Sequence, residues 1–345
     1  MVLALSDAFP SATIHTTLYD PAGTYPEFAG RRVKVSPLDK VPGLRRRHRL
    51  ALPALAAAVS TLRIDAEVTI CSSSGWAHGF PTTGAKVVYC HTPARWLYQA
   101  DAYLPGMPVA ARLALAAMGP GLRRWDRKAA HGADRYIVNS TAVADAVWQT
   151  YGIDATVVPP PVSVDTAGDD QALAGCEPGF FLCVSRLLPY KHVDEVVSAF
   201  RLLPEERLVV VGDGPMAAAL ASGAPGNVRF VGSVGDAELR WLYRSCTGLV
   251  SASYEDFGLT PLEAAAYGKP SAVLRFGGFL DTILEGETGV YFQHPQPGDI
   301  ASALRSLRDQ RWSSARLVDH AAAYRPERFA SHMREAVQDL LPASA

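Results

Sequence analysis

The sequence lacks any long uninterrupted apolar segment. The longest candidate, residues 50–59, is broken by Pro53 and falls short of the roughly 18 residues that a membrane-spanning helix needs. The first residues contain no basic stretch followed by an apolar core, so no signal peptide is predicted. We therefore expect a cytoplasmic protein, with a peripheral position on the inner membrane surface as an additional option.

Paired cysteines and metal-ligand spacings are also missing. The 345 residues include five cysteines, which are scattered and form no C-x-x-C pair. This pattern favours reduced thiols over a disulfide framework or a zinc site. The nine histidines show no H-E-x-x-H spacing, so we expect neither a metal site nor a cofactor.

Charge is unevenly divided along the chain. Residues 1–150 hold 17 Lys and Arg against 10 Asp and Glu, whereas the remainder holds 16 against 24. Either the basic first half meets an anionic partner, or the two halves complement each other across an interface. We expect no nucleic-acid partner.

Three consecutive prolines, Pro159–Pro161, mark a linker between two similar halves, because proline ends regular structure. On both sides, strand-like runs alternate with helix-like segments, which predicts an α/β fold with parallel sheets and ligands at the carboxyl ends of the strands. We place an N-terminal domain at residues 1–160 and a second domain at 161–325. Residues 326–345 are predicted as a C-terminal helix with one apolar face, which would cap the second domain.

The pattern of the first half also predicts two separate helices, Val109–Met118 and Leu122–His131.

One segment of the second half carries helix-start and helix-stop signals. Thr260 can act as an N-cap, followed by Pro261 at the first helical position and Glu263 at the capping-box position. Gly268 suits the C-terminus of the helix, and Pro270 follows it. A helix N-terminus at the carboxyl edge of a sheet favours an anion. Capping alone is an equally concrete explanation of Glu263.

The same segment resembles glycosyltransferase family 4. The family signature is E-x-F-G-x-x-x-x-E, and Glu255, Phe257, Gly258 and Glu263 match it. The resemblance implies a GT-B fold, with two Rossmann-like domains facing each other across a cleft. It also implies that Glu255 binds hydroxyls of the transferred sugar, that Glu263 binds the nucleotide ribose, and that the amides from Phe257 to Leu259 meet the donor.

Two further stretches of the second half fit this resemblance. Arg186 and Lys191 match the family's R-x-x-x-x-K segment, in which the two cations would hold the diphosphate of the donor; the alternative is that both are surface charges. Gly212 and Gly214 follow an apolar strand in a G-x-G-P turn, which in the family lies close to the nucleotide. Gly277 and Gly278 form another glycine loop.

In the first half, His91 ends a strand and opens an H-T-P-x-R segment. A lone histidine is more often structural, but family members place a histidine here beside the donor sugar. This form of the segment is most similar to bacterial mannosyltransferases of surface-polysaccharide pathways, which favours GDP-mannose as the donor. The role of His91 would be to hydrogen-bond the sugar and stabilise developing positive charge.

A basic run lies between residues 45 and 49, where Arg45, Arg46, Arg47 and Arg49 precede an apolar segment. It would lie on an anionic membrane surface or bind a phosphate of a lipid-linked acceptor. A solvated helix start is the plain alternative.

The N-terminus departs from the family pattern. Residues 2–10 look like the latter part of the first helix, and residues 14–18 like the second strand. The opening strand and its glycine loop are then expected to be missing, and we interpret this as a misplaced start codon or a truncation.

The sequence thus predicts a retaining, metal-independent hexosyltransferase. It would move a hexose, with mannose favoured, from a nucleotide sugar to a polysaccharide, lipid-linked or small-molecule acceptor. The alternative is a non-catalytic nucleotide-sugar-binding protein or an inactive partner subunit.

Overall fold

The computed structural model describes residues 1–45, 52–99 and 109–341. The chain divides into two compact units. Unit 1 comprises Met1–Pro161 together with Glu327–Ala345, and unit 2 comprises Val162–Pro326. The division lies one residue beyond the boundary that the proline run indicates.

Unit 1 has two parallel sheets. Its strands are β1 (Ile14–Thr16), β2 (Val33–Val35), β3 (Val68–Ser73), β4 (Ala85–Cys90), β5 (Arg135–Val138) and β6 (Thr156–Val157). Its first five helices are α1 (Val2–Ala8), α2 (Leu52–Thr61), α3 (Arg95–Tyr98), α4 (Val109–Ala130) and α5 (Thr141–Tyr151). Strands β1 and β2 pair with each other, and the remaining strands form a sheet in the order β3-β4-β5-β6.

The predicted helix at the start of the chain is confirmed as α1, and the strand after it as β1. In the described part of the chain, no backbone pairing joins the β1-β2 sheet to the four-stranded sheet. The expectation that an opening strand is missing stays a prediction.

Helix α4 corrects the sequence-based prediction of two separate helices. It runs without interruption from Val109 to Ala130 and contains Pro120. Leu115 and Leu122, on the two sides of the proline, are both buried in the same apolar cluster. Packing of both halves against one core therefore outweighs the local tendency of proline to break a helix.

Unit 2 is a doubly wound α/β unit. Its strands are β7 (Phe181–Val184), β8 (Leu208–Val211), β9 (Val228–Gly232), β10 (Gly248–Ser251), β11 (Ser271–Leu274) and β12 (Gly289–Phe292). Its helices are α6 (Val193–Ala199), α7 (Ala217–Ser222), α8 (Asp236–Ser245), α9 (Leu259–Ala266), α10 (Phe279–Thr282), α11 (Pro297–Asp309) and α12 (Ser314–Ala322).

The sheet of unit 2 has the order β12-β11-β10-β7-β8-β9, and every pair is parallel. The chain therefore builds outward from β7 in one direction and then returns to its other side at β10. Such a reversal is a topological switch point, where the loops after the two neighbouring strands diverge and leave a crevice.

Alternating side chains of β7 explain why both faces of this sheet are covered. Phe181 and Cys183 lie in a cluster with the buried face of α6. Leu182, and Phe180 directly before the strand, lie in another cluster with Leu242 of α8. Because successive strand residues point to opposite faces, an uninterrupted apolar strand requires a layer of helices on each side.

The last helix, α13 (Pro326–Gln338), packs in unit 1, which corrects the prediction that it caps the second domain. Its apolar face contributes Phe329, Met333 and Val337 to a cluster that also contains Tyr89 of β4. Arg334 donates a hydrogen bond to the carbonyl of Ala8.

In the described part of the chain, no helix is long and apolar enough to cross a membrane.

Truncating the side chain of Met333 should destabilise the protein. Met333 is fully buried, so we expect Met333→Ala to lower the free energy of unfolding by about 2–5 kcal/mol. Gln338→Ala, at an exposed position of the same helix, should change it by less than about 0.5 kcal/mol. Urea unfolding checks both, and equal effects would contradict the packing of α13.

Candidate functional site

Lys191 and Glu255 lie together at the switch point of unit 2. Lys191 ends the short turn that follows β7, and Glu255 lies in the loop that follows the neighbouring strand β10. The Lys191 ammonium pairs with Glu255 Oε1, with the two side chains 13% and 26% exposed. Two residues separated by 64 positions thus meet because the carboxyl ends of parallel strands share one edge of the sheet.

Two serines that the sequence analysis missed support Glu255. The Ser253 hydroxyl donates a hydrogen bond of 2.8 Å to Glu255 Oε1, and Ser251 Oγ lies 2.9 Å from Ser253 Oγ. Because the single proton of Ser253 is used toward Glu255, Ser251 must be the donor in the second contact. Their i, i+2, i+4 spacing was the available signal, since extended residues at that spacing share a side.

Gly212 and Gly214 allow the loop after β8 to press against the loop after β7. Gly212 has φ 123°, and a Cβ there would stand 2.0 Å from the carbonyl oxygen of Ser185. A Cβ on Gly214 would stand 2.5 Å from the carbonyl oxygen of Leu187. The G-x-G spacing is therefore required by backbone-to-backbone contact.

The loop after β11 approaches Glu255 in the same way. The amide of Gly278 donates a hydrogen bond of 2.9 Å to the Glu255 carbonyl. A Cβ on Gly277 would stand 2.2 Å from that carbonyl oxygen, and one on Gly278 would stand 2.1 Å from the Cα of Phe257. The loops after β8 and β11 thus pack against the two loops that carry Lys191 and Glu255.

The predicted capping box at Thr260 and Glu263 is wrong. Helix α9 begins at Leu259, and its N-cap is Gly258, which has φ 85° and provides no side-chain cap. Glu263 lies too far into the helix to reach the N-cap, and its Oε2 instead accepts a hydrogen bond of 2.6 Å from Tyr243. Burial raises the pKa of Glu263, although the bond from Tyr243 opposes the rise.

The predicted C-terminus of helix α9 at Gly268 is confirmed. Gly268 has φ 69° and follows the C-cap Tyr267. The amides of Gly268 and Lys269 donate to the carbonyls of Ala265 and Ala264. These bonds satisfy helix carbonyls in the manner of a glycine-terminated helix.

The remaining predicted donor residues differ in exposure. Phe257 is buried among Leu262, Val162 and Tyr324, so its side chain holds the loop in place. Leu259 is 40% exposed. Arg186 is exposed. Its carbonyl accepts hydrogen bonds from Ser185 and Leu188, but within the described ranges its guanidinium forms no hydrogen bond or ion pair, so that group is available to an anion.

His91 follows β4 in unit 1 and is held from three directions. Its amide donates to the Ser73 carbonyl at 2.7 Å, its carbonyl accepts from Asn139 at 3.1 Å, and its Nε2 lies 3.0 Å from Ser72 Oγ. Burial, and then the α-ammonium of Met1, lower the pKa of His91 to about 4. The imidazole is therefore neutral near pH 7.

Of the basic run, Arg45 alone lies in the described chain, and it pairs with Asp39. This pair holds the pKa of the Asp39 carboxyl below its usual value. Arg46, Arg47 and Arg49 lie outside the described residues.

A family model described as "Glycosyltransferase Family 4" matches residues 1–166, and one described as "Glycosyl transferases group 1" matches residues 169–324.

The chain belongs to glycosyltransferase family 4.

Curated relatives of this family 4 chain include a glycosyltransferase and a glycogen synthase. It is 32% identical over 225 residues to D-inositol 3-phosphate glycosyltransferase 2 of Catenulispora acidiphila, covering 56% of this chain and 53% of that protein. It is 32% identical over 163 residues to glycogen synthase of Mycobacterium tuberculosis, covering 44% and 37%. The aligned part thus spans about half the length of the first relative and 37% of the second.

Solved structures share the fold of this family 4 chain. Sucrose-phosphate synthase from Thermosynechococcus elongatus superimposes with a TM-score of 0.70 at 20% identity, covering 99% of this chain and 92% of that one. Anabaena Alr3699/HepE in complex with UDP-glucose gives a TM-score of 0.67 at 17% identity, covering 98% and 95%. The predicted GT-B fold class is confirmed.

Adding a methyl group at Gly212 should destabilise unit 2. Gly212→Ala meets both a left-handed backbone and a 2.0 Å contact, so we expect a loss of at least about 2 kcal/mol in the free energy of unfolding. Gly226→Ala has open space around it and should change stability by less than about 0.5 kcal/mol. Denaturant titration measures both, and a stable Gly212→Ala would contradict the close loop packing.

Lowering the pH should destabilise the folded protein through the buried imidazole of His91. The unfolded imidazole has its ordinary pKa of 6.5, and the folded one about 4. The unfolded chain therefore binds an extra proton as the pH falls from 6.5 toward 4, and folding stability decreases. We expect wild-type protein to lose more stability than His91→Asn between pH 7 and pH 5. Urea unfolding at both pH values checks this, and equal losses would disprove it.

Proposed function

We propose that the chain is a retaining glycosyltransferase that takes a hexose from a nucleotide-sugar donor. The observation that carries this proposal is the pairing of Lys191 with Glu255 at the switch point of unit 2. A diphosphate needs cations and a sugar needs hydroxyl acceptors, and this place supplies one of each on adjacent loops. The family membership supports the same reading.

In this proposal the diphosphate is held by Lys191 and by the exposed guanidinium of Arg186. The donor replaces Glu255 as the partner of Lys191, and Glu255 then accepts hydrogen bonds from sugar hydroxyls. Gly212, Gly214 and Gly258 are proposed to lie close to the nucleotide. A Cβ at these positions would meet Ser185, Leu187 and Phe279 respectively, so the glycines let the loops beside the nucleotide pack closely. The two cations would stabilise the negative charge that develops on the departing nucleoside diphosphate, without a metal ion.

The transfer is proposed to proceed on one face of the sugar. The bond from the anomeric carbon to the diphosphate oxygen breaks, and a bond to the acceptor oxygen forms on the same side. The departing phosphate oxygen takes the proton of the acceptor hydroxyl, so the anomeric configuration is retained. His91, neutral near pH 7, is proposed to hydrogen-bond the transferred sugar.

The donor base and the acceptor are the finer parts of the proposal. The sequence favoured GDP-mannose, whereas Anabaena Alr3699/HepE has been solved with UDP-glucose, so both nucleotides belong in any test. For the acceptor we propose a phosphorylated or lipid-linked hydroxyl compound that the basic run at Arg45 would meet. The name of the Catenulispora relative makes inositol phosphate a first choice in such a panel.

Removing the proposed diphosphate cation should weaken nucleotide binding. We expect Lys191→Ala to raise the dissociation constant of UDP or GDP on the order of tenfold to a hundredfold, because charge-assisted hydrogen bonds are lost. Calorimetric titration measures it. Arg311→Ala, which removes an exposed arginine of the same unit, should bind like the wild type.

Removing the carboxylate of Glu255 should abolish turnover. Glu255→Gln keeps the shape of the side chain, and we expect transfer or donor hydrolysis to fall at least about a hundredfold. NMR of the product anomer tests retention, and an inverted product would contradict the mechanism. Full nucleotide binding by the wild type without turnover of any donor or acceptor would favour the alternative, a non-catalytic nucleotide-sugar-binding protein.

A further inference from the structure

Glu263, the second glutamate of the family signature, has an unusual set of partners. Its Oε2 accepts a hydrogen bond of 2.6 Å from the hydroxyl of Tyr243, which lies 20 positions earlier in α8. Within the described ranges of the chain, no other hydrogen-bond donor contacts this carboxylate and no lysine or arginine forms an ion pair with it. Glu255 differs, since it has both a cation and a serine.

A largely buried carboxylate without a cation is costly to a folded protein, because water no longer solvates its charge. Burial accordingly raises the pKa of Glu263. One hydrogen bond from a phenol satisfies only part of what two carboxylate oxygens can accept. Groups kept in such a state are candidates for ligand contact, because hydroxyls of a ligand would satisfy the remaining acceptor positions.

Tyr243, the hydrogen-bond donor to Glu263, is itself held in place by its neighbours. Tyr243 is 1% exposed, and its ring stacks on that of Tyr267 with centroids 5.4 Å apart and an interplanar angle of 4°. Its carbonyl accepts a bond from the Cys246 thiol at 3.3 Å. Burial and the adjacent charge of Glu263 raise the pKa of Tyr243 well above its ordinary value, so the hydroxyl remains a donor at any working pH.

We propose that Tyr243 is a positioning residue that fixes the Glu263 carboxylate so that its free acceptor positions meet the ribose hydroxyls of the donor nucleotide. This inference rests on the proposed function and on the ribose contact that the family resemblance implies for Glu263, and it adds the role of Tyr243. A glutamate has three rotatable side-chain bonds, and the bond to Oε2 removes most of that freedom before the ligand arrives. The Glu263 side chain is thereby preorganised, which strengthens binding because less side-chain entropy is lost when the nucleotide associates.

The test compares nucleoside diphosphates with and without ribose hydroxyls. Calorimetric titration gives the dissociation constants of UDP and 2′,3′-dideoxy-UDP, and of GDP and its dideoxy form. We expect the wild type to prefer the ribose form by at least about tenfold, and Glu263→Gln to lose most of that preference. Tyr243→Phe, which removes only the hydroxyl, should lower the preference by about tenfold and leave the affinity for the dideoxy form unchanged.

Tyr267→Phe is the matched control. It removes a hydroxyl that donates to the Asp165 carbonyl at 3.2 Å and keeps the ring on which Tyr243 stacks. We expect it to keep the wild-type preference for ribose. A general loosening of the fold would weaken both nucleotide forms equally, so the ratio of the two affinities reports on positioning alone.

Two outcomes would overturn the inference. An unchanged ratio in Tyr243→Phe would show that the phenol does not position Glu263, and equal binding of ribose and dideoxy forms by the wild type would show that Glu263 does not read the ribose. Neither result touches the donor site itself, which is decided by the loss of nucleotide affinity in Lys191→Ala. Failure of the wild type to bind any nucleoside diphosphate would remove the proposed function and the inference together.

Discussion

The Lys191–Glu255 ion pair joins two loops that leave neighbouring parallel strands of unit 2, and the surrounding loops are arranged around it. Parallel strands end at one edge of a sheet, and the reversal of chain direction beside β7 brings the loop after β10 next to the loop after β7. The glycines at 212, 214, 277 and 278 then allow neighbouring backbones to close in. The cation and the carboxylate pair with each other, which restricts both side chains.

The two glutamates of one motif have opposite electrostatic surroundings. Glu255 is in a loop, where a lysine and a serine stabilise its charge. Glu263 is in the following helix, where burial disfavours its charge and a phenol gives limited compensation. The first is suited to exchange its partners when a charged ligand enters. The second is suited to recognise neutral hydroxyls, which add hydrogen bonds without adding charge.

The sequence predicted those parts of the structure that depend on chain direction and local pattern. Strands that alternate with helices imply parallel sheets, so ligands were expected at the carboxyl ends of the strands, and Lys191 and Glu255 both follow such ends. The start of α9 was predicted wrongly because Gly258 begins the helix in a left-handed conformation, which made Thr260 unnecessary as a cap. Helix α4 passes through Pro120 because a core packs on both of its halves.

Contacts between distant elements carried no local signal. Tyr243 is one apolar position of an amphipathic helix, and only the packing of α8 against α9 brings its hydroxyl to Glu263. The same holds for α13, whose apolar face identifies it as a packed helix but does not say which unit it covers. Ser253 is the exception, since its two-residue spacing to Glu255 directly after a strand is a local signal for their contact.

The return of α13 to unit 1 affects the order in which the chain can mature during synthesis. Residues 162–326, which form the whole of unit 2, leave the ribosome before Phe329 and Met333 do. Unit 2 can therefore complete its core first, whereas the apolar cluster around Tyr89 can form completely only after α13 has been synthesised. Vectorial synthesis usually lets the N-terminal unit fold first, and here the N-terminal unit is the last to close.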